Sequence, residues 1–441
     1  MADKTMQPHI GPFTALAIVM GTVIGGGVFF KTAAVVAATN SAGLTILAWV
    51  LGGLLTICGG LTVSELSAAF PETGGSIKYL EHTYGKLTGF LLGWSEMLIY
   101  FPANIAALAI IFATQVINLF HLNPGLLVPI ALLTAASITI INLFGARAGG
   151  MVQSLTFLGK LIPLAIIIVG GLWMPGHVET SLFPLNPAGH TNFITAFSGG
   201  LIATMFAYEG WINVGTIAGE IKNPQKNLPR VIGLGLALIM VIYLLVNWVF
   251  LKQLPLNQIA GNENTAFEAA QRLFGEFGGK LVTIGILVSV YGTINGYTLT
   301  GPRVTYAMAK NDDLPGSHWL KKLSKKYAAP YWATILTFSI ATIMVFLGSF
   351  DVLTDMLVFV MWIFNCLLFF AVLLLRKREP GLPRPYRVPW FPLIPIVALV
   401  GGLFILITTI INQPLLALTG IGVTFAGIPF FYIHKLRHRA A

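Results

Sequence analysis

Three consecutive glycines, Gly25-Gly26-Gly27, stand in the middle of an apolar run that extends from about Phe13 to Ala38. The run is long enough to cross a bilayer, yet three adjacent residues of the poorest ordinary helix former invite a break halfway. In hydrocarbon an unpaired N–H or C=O group is so costly that irregular backbone persists at mid-membrane only where it lines a protein cavity. A second apolar run, from about 193 to 220, is interrupted by Phe206-Ala207-Tyr208-Glu209-Gly210-Trp211, where a carboxylate and a glycine sit among apolar side chains. Two interrupted crossings in corresponding halves point to a secondary transporter with its site between them.

Composition agrees with a bilayer protein. Hydrophobic residues make up 56% of the 441 positions and charged ones 10%, with a mean hydropathy of +0.81. Roughly twelve apolar segments are long enough to span a ~30 Å hydrocarbon core. They run over residues 12 to 38, 42 to 69, 87 to 119, 126 to 146, 150 to 173, 193 to 219, 228 to 251, 279 to 309, 329 to 349, 353 to 375, 388 to 411 and 414 to 434. The first is too long for a signal-peptide core and lacks a small-residue cleavage site, so it is expected to be retained. No soluble domain is visible, and the chain reads as one all-α polytopic unit.

Basic residues set the threading, because short cytoplasmic loops carry the Lys and Arg excess. Lys4, Lys78, Lys86, Arg147, Lys222, Lys226, Arg230, Lys310, Lys321, Lys322, Arg376, Lys377, Arg384 and Arg387 fall in the tails and even-numbered connections. Little beyond Lys31, Lys252, Arg272 and Lys280 falls on the other side. Both termini are therefore expected in the cytoplasm of a cell carrying this multi-pass protein in its plasma membrane. The net charge of +10 follows from this asymmetry and makes no continuous basic face for nucleic acid. The two cysteines, Cys58 and Cys366, both lie in apolar segments and form neither a disulfide framework nor a metal-ligand spacing. No cofactor is called for.

A helix broken at Gly25 to Gly27 exposes N–H groups at the start of its second half, with the positive dipole end behind them, which suits a carboxylate. The carbonyls freed around Thr22, Val23 and Ile24, with those of Phe206 and Ala207 in the other break, suit an ammonium group. Together they would read the two ends of an α-amino acid. Close helix packing is the competing account of the glycines. Lys160 lies about 13 residues beyond Arg147, which at 1.5 Å per residue puts it roughly 20 Å deep. A lysine there costs about 2.5 to 3.5 kcal/mol on insertion scales, so a cavity or partner is expected, unless the side chain snorkels to the interface. Its expected role is a fixed cation bracing the broken first helix through its carbonyls.

Glu209 sits inside the second break and could face substrate or hold the unwound segment. Glu96 and Glu65 are the other intramembrane acids. Both are expected to be structural first, with Arg303 the candidate partner of Glu65, and to couple protons only second. Tyr243 and Asn295 are polar at mid-helix depth, where helix-to-helix bonding explains such residues as often as ligand contact.

At this point the chain resembles the L-type amino acid transporter group of the amino acid, polyamine and organocation superfamily, including prokaryotic serine/threonine and alanine-serine-cysteine exchangers. The resemblance covers essentially the whole chain. It rests on Gly21 to Phe29 (GTVIGGGVF), Glu65 to Gly75 (ELSAAFPETGG), Phe206 to Trp211 (FAYEGW), Glu220 to Arg230 (EIKNPQKNLPR) and Gly301 to Ala309 (GPRVTYAMA). It implies the LeuT fold: helices 1 and 6 unwound, a five-helix repeat over 12–173, its inverted copy over 193–375, and two extra helices over 388–434. It also implies sodium-independent exchange by alternating access. Gly25, Gly26 and Gly27 would hold the substrate carboxylate, flanked by Val23 and Ile24. Phe206, Ala207 and Glu209 would meet the amino group, Lys160 would replace sodium, and Tyr243 would lie near the site. Gly26 stands where serine is common in the group. Animal light subunits bond a glycoprotein through a cysteine that His121-Leu122-Asn123-Pro124 does not offer, so no disulfide-linked heavy subunit is expected.

Small Ala207 and bulky Phe206, Tyr208 and Trp211 suggest a compact apolar pocket for small neutral amino acids such as alanine and serine. Glu209 keeps a cationic or proton-coupled substrate as the alternative. An enzyme would need a cluster of nucleophile, base or ligands at depth, and only scattered single polar groups are present. A channel or sensor fits inverted halves less well than alternating access does.

Overall fold

The computed structural model describes residues 11–70, 75–185, 187, 192–212 and 221–439. Residues 213–220, which would continue the second interrupted run, lie outside that set, as do 1–10, 71–74 and 440–441.

The described chain is almost wholly helical. We number its main helices α1 (Pro12–Val23), α2 (Gly27–Thr39), α3 (Ala42–Ala69), α4 (Gly75–Tyr84), α5 (Lys86–Phe120), α6 (Leu127–Leu143), α7 (Ala146–Trp173) and α8 (Phe193–Ala207). The second half supplies α9 (Pro224–Gln253), α10 (Thr265–Lys310), α11 (Tyr331–Leu347), α12 (Phe350–Arg378), α13 (Leu393–Asn412), α14 (Pro414–Phe425) and α15 (Gly427–Arg439). Nine described spans are long and apolar enough to cross a membrane. The short α2, α8 and α11 belong to the three other expected crossings, two of which are the interrupted ones.

Burial sorts these helices into shells. The apolar windows of α5 and α12 are 83% and 72% buried, whereas that of the α14–α15 span is 22% buried, so the first two are central and the last is peripheral. Helix starts follow local chemistry. Ser41 caps α3 by accepting from the Leu44 N–H, Asn192 caps α8 through Ile194, and Ser349 caps α12 through Val352.

Three differences from the sequence expectations have physical causes. The segment expected at 279 to 309 begins as a helix at Thr265, because the charged stretch from Glu268 to Lys280 is helical, with a break at Gly275 (φ 74°). The last segment is divided at Ala426 into α14 and α15. Glu65 does not pair with Arg303. Its carboxylate takes both Nε and Nη2 of Arg376, at 2.9 and 2.6 Å, the Val388 N–H at 2.8 Å, and approaches Arg384 at 3.4 Å. The interaction ties the C-terminal part of α3 to the end of α12.

Candidate functional site

The helix stops at Val23 and restarts at Gly27, so the triglycine is a break between α1 and α2. Three of the last four carbonyls of α1 have a destination, as buried backbone groups require. Met20 O accepts from the Ile24 N–H at 2.8 Å, Gly21 O from the Lys160 ammonium at 3.0 Å, and Val23 O from the Tyr243 hydroxyl at 3.1 Å. Lys160, on α7, is 1% exposed, so it does not snorkel, and its charge stands at the negative end of the α1 dipole.

The other side of the break is different. Among the described residues the N–H groups of Gly25 and Gly26 have no backbone partner, and α2 has no side-chain cap. They stand at the positive dipole end of α2, whose Phe29 and Phe30 N–H groups are already taken by Gly26 O.

The second break follows α8. One of its carbonyls is bridged to the first: Tyr243 on α9 donates to Ala207 O at 2.9 Å as well as to Val23 O. Gly210 has φ 105°, and a Cβ there would lie 3.0 Å from Thr22 O, so glycine is required twice over. A Cβ on Gly27 would stand 2.6 Å from Ala207 Cα, one on Gly25 3.1 Å from the Thr293 side chain of α10, and one on Gly26 3.2 Å from the Phe30 ring and 3.3 Å from Leu108. The breaks are therefore packed against each other with α5 and α10 alongside.

Glu209 is 5% exposed and accepts from the Gly210 N–H and the Tyr100 hydroxyl. Tyr100 ends a π-helical turn, Glu96–Tyr100, inside α5. Such an extra residue per turn rotates side chains out of α-helical register and is frequent at functional sites. Here the turn also carries Glu96, close enough to Glu209 for the two charges to interact.

Of the sequence candidates, Val23, Ile24, Gly25, Gly26, Gly27, Phe206, Ala207, Glu209, Tyr243 and Lys160 meet around the two breaks. Asn295 does not. Its amide donates to Gly149 O at 2.9 Å and accepts from Asn142 at 2.9 Å, which commits it to the packing of α10 on α6 and α7. Two of the three expected pocket aromatics also turn away: Tyr208 donates to Trp49 O at 2.9 Å, and Trp211 lies over Gly59 and Gly60 of α3. Thr293, Leu108 and Tyr100 were not singled out from the sequence. Their only signal is helical spacing, Tyr100 and Leu108 being eight residues apart on one face of α5.

The sequence model of an amino acid permease matches residues 10–432. The chain belongs to the amino acid permease family. This permease is 40% identical to the serine/threonine exchanger SteT of Bacillus subtilis, over 99% of its own length and 98% of the relative's. It is 28% identical to the human Asc-type amino acid transporter 1 (97% and 82% of the two chains) and 28% identical to the human cystine/glutamate transporter (95% and 83%). The permease is thus a multi-pass membrane transporter and not an enzyme, and its glycine and FAYEGW motifs mark the two helix breaks.

Proposed function

We propose that this permease exchanges small neutral L-amino acids, serine and alanine first, across the plasma membrane without sodium, with both termini in the cytoplasm. The observation that carries the reading is the Lys160 contact with Gly21 O at 3.0 Å. A protein cation already occupies the carbonyl end of the first break, so no dissolved cation is needed there. The free N–H groups of Gly25 and Gly26 receive the substrate carboxylate, and the second break receives its ammonium through Phe206 and Ala207. α1–α7 and α8–α12 act as inverted five-crossing halves that rock about the site, with α13–α15 outside them. The names of the serine/threonine exchanger and the Asc-type transporter agree with a small neutral substrate. The turn at His121-Leu122-Asn123-Pro124 has no cysteine, so the transporter works without a disulfide-linked subunit.

A second reading has its own observation. Glu96, part-buried on α5, lies near enough to buried Glu209 for their charges to interact, and a proton taken up by the pair would couple transport to pH. One experiment separates the two: uptake of labelled L-alanine into proteoliposomes preloaded with L-serine or left empty, with and without Na⁺ and a pH gradient. Uptake that requires internal serine and neither gradient supports exchange. Uptake into empty vesicles driven by the pH gradient, and lost in Glu209→Gln, supports proton coupling.

A further inference from the structure

The connection between α10 and α11, residues 311–330, is basic, aromatic and internally bonded. With Lys310, the last residue of α10, it brings Lys321, Lys322, Lys325 and Lys326 against Asp312 and Asp313, so positive charge prevails. The Ser324 N–H donates to Ala329 O at 2.8 Å and the Lys321 N–H to Ser317 O at 2.9 Å, while Leu314, Ser317 and Ala329 are buried. The large side chains are not. Trp319 is 49% exposed, and Tyr331 and Trp332, which open α11, are 42% and 38% exposed. The Trp332 ring lies 5.2 Å from that of Trp319, and Lys322 and Lys326 stand 5.4 and 5.1 Å from the ring centres of Trp319 and Tyr327. Exposed Trp and Tyr at the ends of membrane crossings settle at headgroup level, and clustered lysines beside them attract anionic lipid.

The same connection forms one wall of a cavity of about 940 Å³, through Leu323, Ala328 and Pro330. Lys86 at the start of α5, with Arg303 and Lys310 on α10, lines it too. Arg303 donates through Nη1 to Leu299 O of its own helix, which steadies the guanidinium in the wall. Glu81 also lines the cavity but is held by Lys78 at 2.8 Å. Among the described lining residues, Lys86, Arg303 and Lys310 then face one further carboxylate, that of Asp313, so two positive charges are in excess. The apolar edge is supplied by Phe90 and Phe431, whose rings lie 5.3 Å apart. Phe431 belongs to α15, in the least buried of the nine described spans. A free phosphate would use the cations alone, whereas a lipid uses the cations and the peripheral apolar edge together. A zwitterionic headgroup would bring its own cation into a wall that is already positive.

We propose that this cavity binds the headgroup phosphate of an anionic phospholipid on Lys86, Arg303 and Lys310, with the acyl chains leaving along the Phe90–Phe431 edge. Lys322, Lys325 and Lys326 supply the field that draws the headgroup in, and Trp319, Tyr331 and Trp332 hold the connection at headgroup level. The site shares no lining residue with the two helix breaks. It needs only that the chain is a multi-pass membrane protein, so it stands apart from the reading of the substrate.

The test titrates the full-length protein in detergent with short-chain phosphatidylglycerol, with phosphatidylcholine of the same chains and with glycerol 3-phosphate, reading the thermal midpoint. A ligand of the folded state raises the midpoint with its concentration. The midpoint should rise with phosphatidylglycerol and with neither of the other two. In Lys86→Gln/Lys310→Gln the concentration that gives half the rise should be roughly tenfold higher. Lys226→Gln/Arg230→Gln removes the same charge from α9 and should titrate as the wild type does. An equal rise with phosphatidylcholine overturns the site in favour of an effect of any lipid, and an equal rise with glycerol 3-phosphate overturns it in favour of a free anion. Equal weakening in the two double variants means a diffuse charge effect and overturns it as well, as does a Lys86→Gln/Lys310→Gln protein that titrates as the wild type. Should that variant fail to fold, Lys310→Gln alone must weaken the response to phosphatidylglycerol severalfold, and its failure to do so overturns the site equally.

Discussion

Gly27 and Ala207, 180 residues apart in sequence, bring the two helix breaks into backbone contact: a Cβ on Gly27 would lie 2.6 Å from Ala207 Cα and 3.0 Å from its Cβ. A main chain cannot rotate aside as a side chain can. The three glycines are therefore not equivalent. Gly25 faces the flexible Thr293 side chain at 3.1 Å, and Gly26 faces Phe30 and Leu108 at 3.2 to 3.3 Å.

A graded response to alanine follows from these neighbours. Gly27→Ala forces the breaks apart, an overpacking cost of about 1–3 kcal/mol, and transport should be lost. Gly25→Ala needs only a shift of a few tenths of an ångström in the Thr293 side chain and should retain at least tenfold more uptake than Gly27→Ala. Serine uptake and the thermal midpoint of each purified variant check the order. Equal behaviour of the two would return the motif to general helix packing.

Lys160 gives a sharper separation of structure from function. Replacement by Ala removes the cation from Gly21 O while leaving the membrane insertion of α7 easier, not harder. Insertion and yield should stay near those of the wild type, and exchange should fall by about two orders of magnitude, an effect of roughly 2.7 kcal/mol. Added Na⁺ offers a second readout: partial rescue would mean that the ion takes up the vacated carbonyl end. Near-normal exchange by a well-inserted Lys160→Ala protein would remove the assigned role.

How much of this was legible beforehand depends on whether depth or facing was asked of the sequence. Depth along a crossing can be counted from the last charged residue, and so Lys160, Glu209, Tyr243 and the triglycine could be placed near mid-membrane. Facing cannot be counted, because an all-apolar helix has no polar side to orient it. Asn295 is buried but turns toward Asn142 and Gly149, and Glu65 meets Arg376, 311 residues away, instead of Arg303. In the sequence Lys31 is only one of the few basic residues on the sparse side of the charge asymmetry, since nothing in its own segment signals Asp351 and Asp355, which it meets on α12. The charged residues from Glu263 to Lys280 look like a loop, whereas α10 begins at Thr265 and bends only where Gly275 reaches φ 74°.

Tyr243 offers a test of how the two breaks cooperate. Its hydroxyl can donate only one proton, so Val23 O at 3.1 Å and Ala207 O at 2.9 Å share it. Tyr243→Phe keeps the ring, which packs at 5.6 Å on Trp49 and 5.2 Å on Tyr208, and removes the bridge alone. A buried acceptor left without its donor costs about 1–3 kcal/mol. Equilibrium binding of labelled L-serine should weaken roughly tenfold, together with a fall in the thermal midpoint that reflects the unpaired acceptor. A lowered midpoint at full affinity would assign the hydroxyl to stability only.

Glu65→Gln addresses the opposite end of the molecule, far from the substrate. The carboxylate is 3% exposed and holds two guanidinium groups, one of which, Arg376, also stacks 3.8 Å over the Phe391 ring. Neutralising one member of such a buried group leaves the others with uncompensated charge, a loss of about 3–5 kcal/mol in fully buried cases. Arg376 is 22% exposed, so water recovers part of its charge and the loss should lie toward the lower bound. Yield and thermal midpoint should therefore drop while the KM for serine in the surviving protein is unaltered. Glu65→Asp is the informative partner variant: it keeps the charge but shortens the reach to Arg376, Arg384 and the Val388 N–H, and should recover only part of the lost stability. A Glu65→Gln protein of normal stability with an altered KM would move this residue from the scaffold to the transport path.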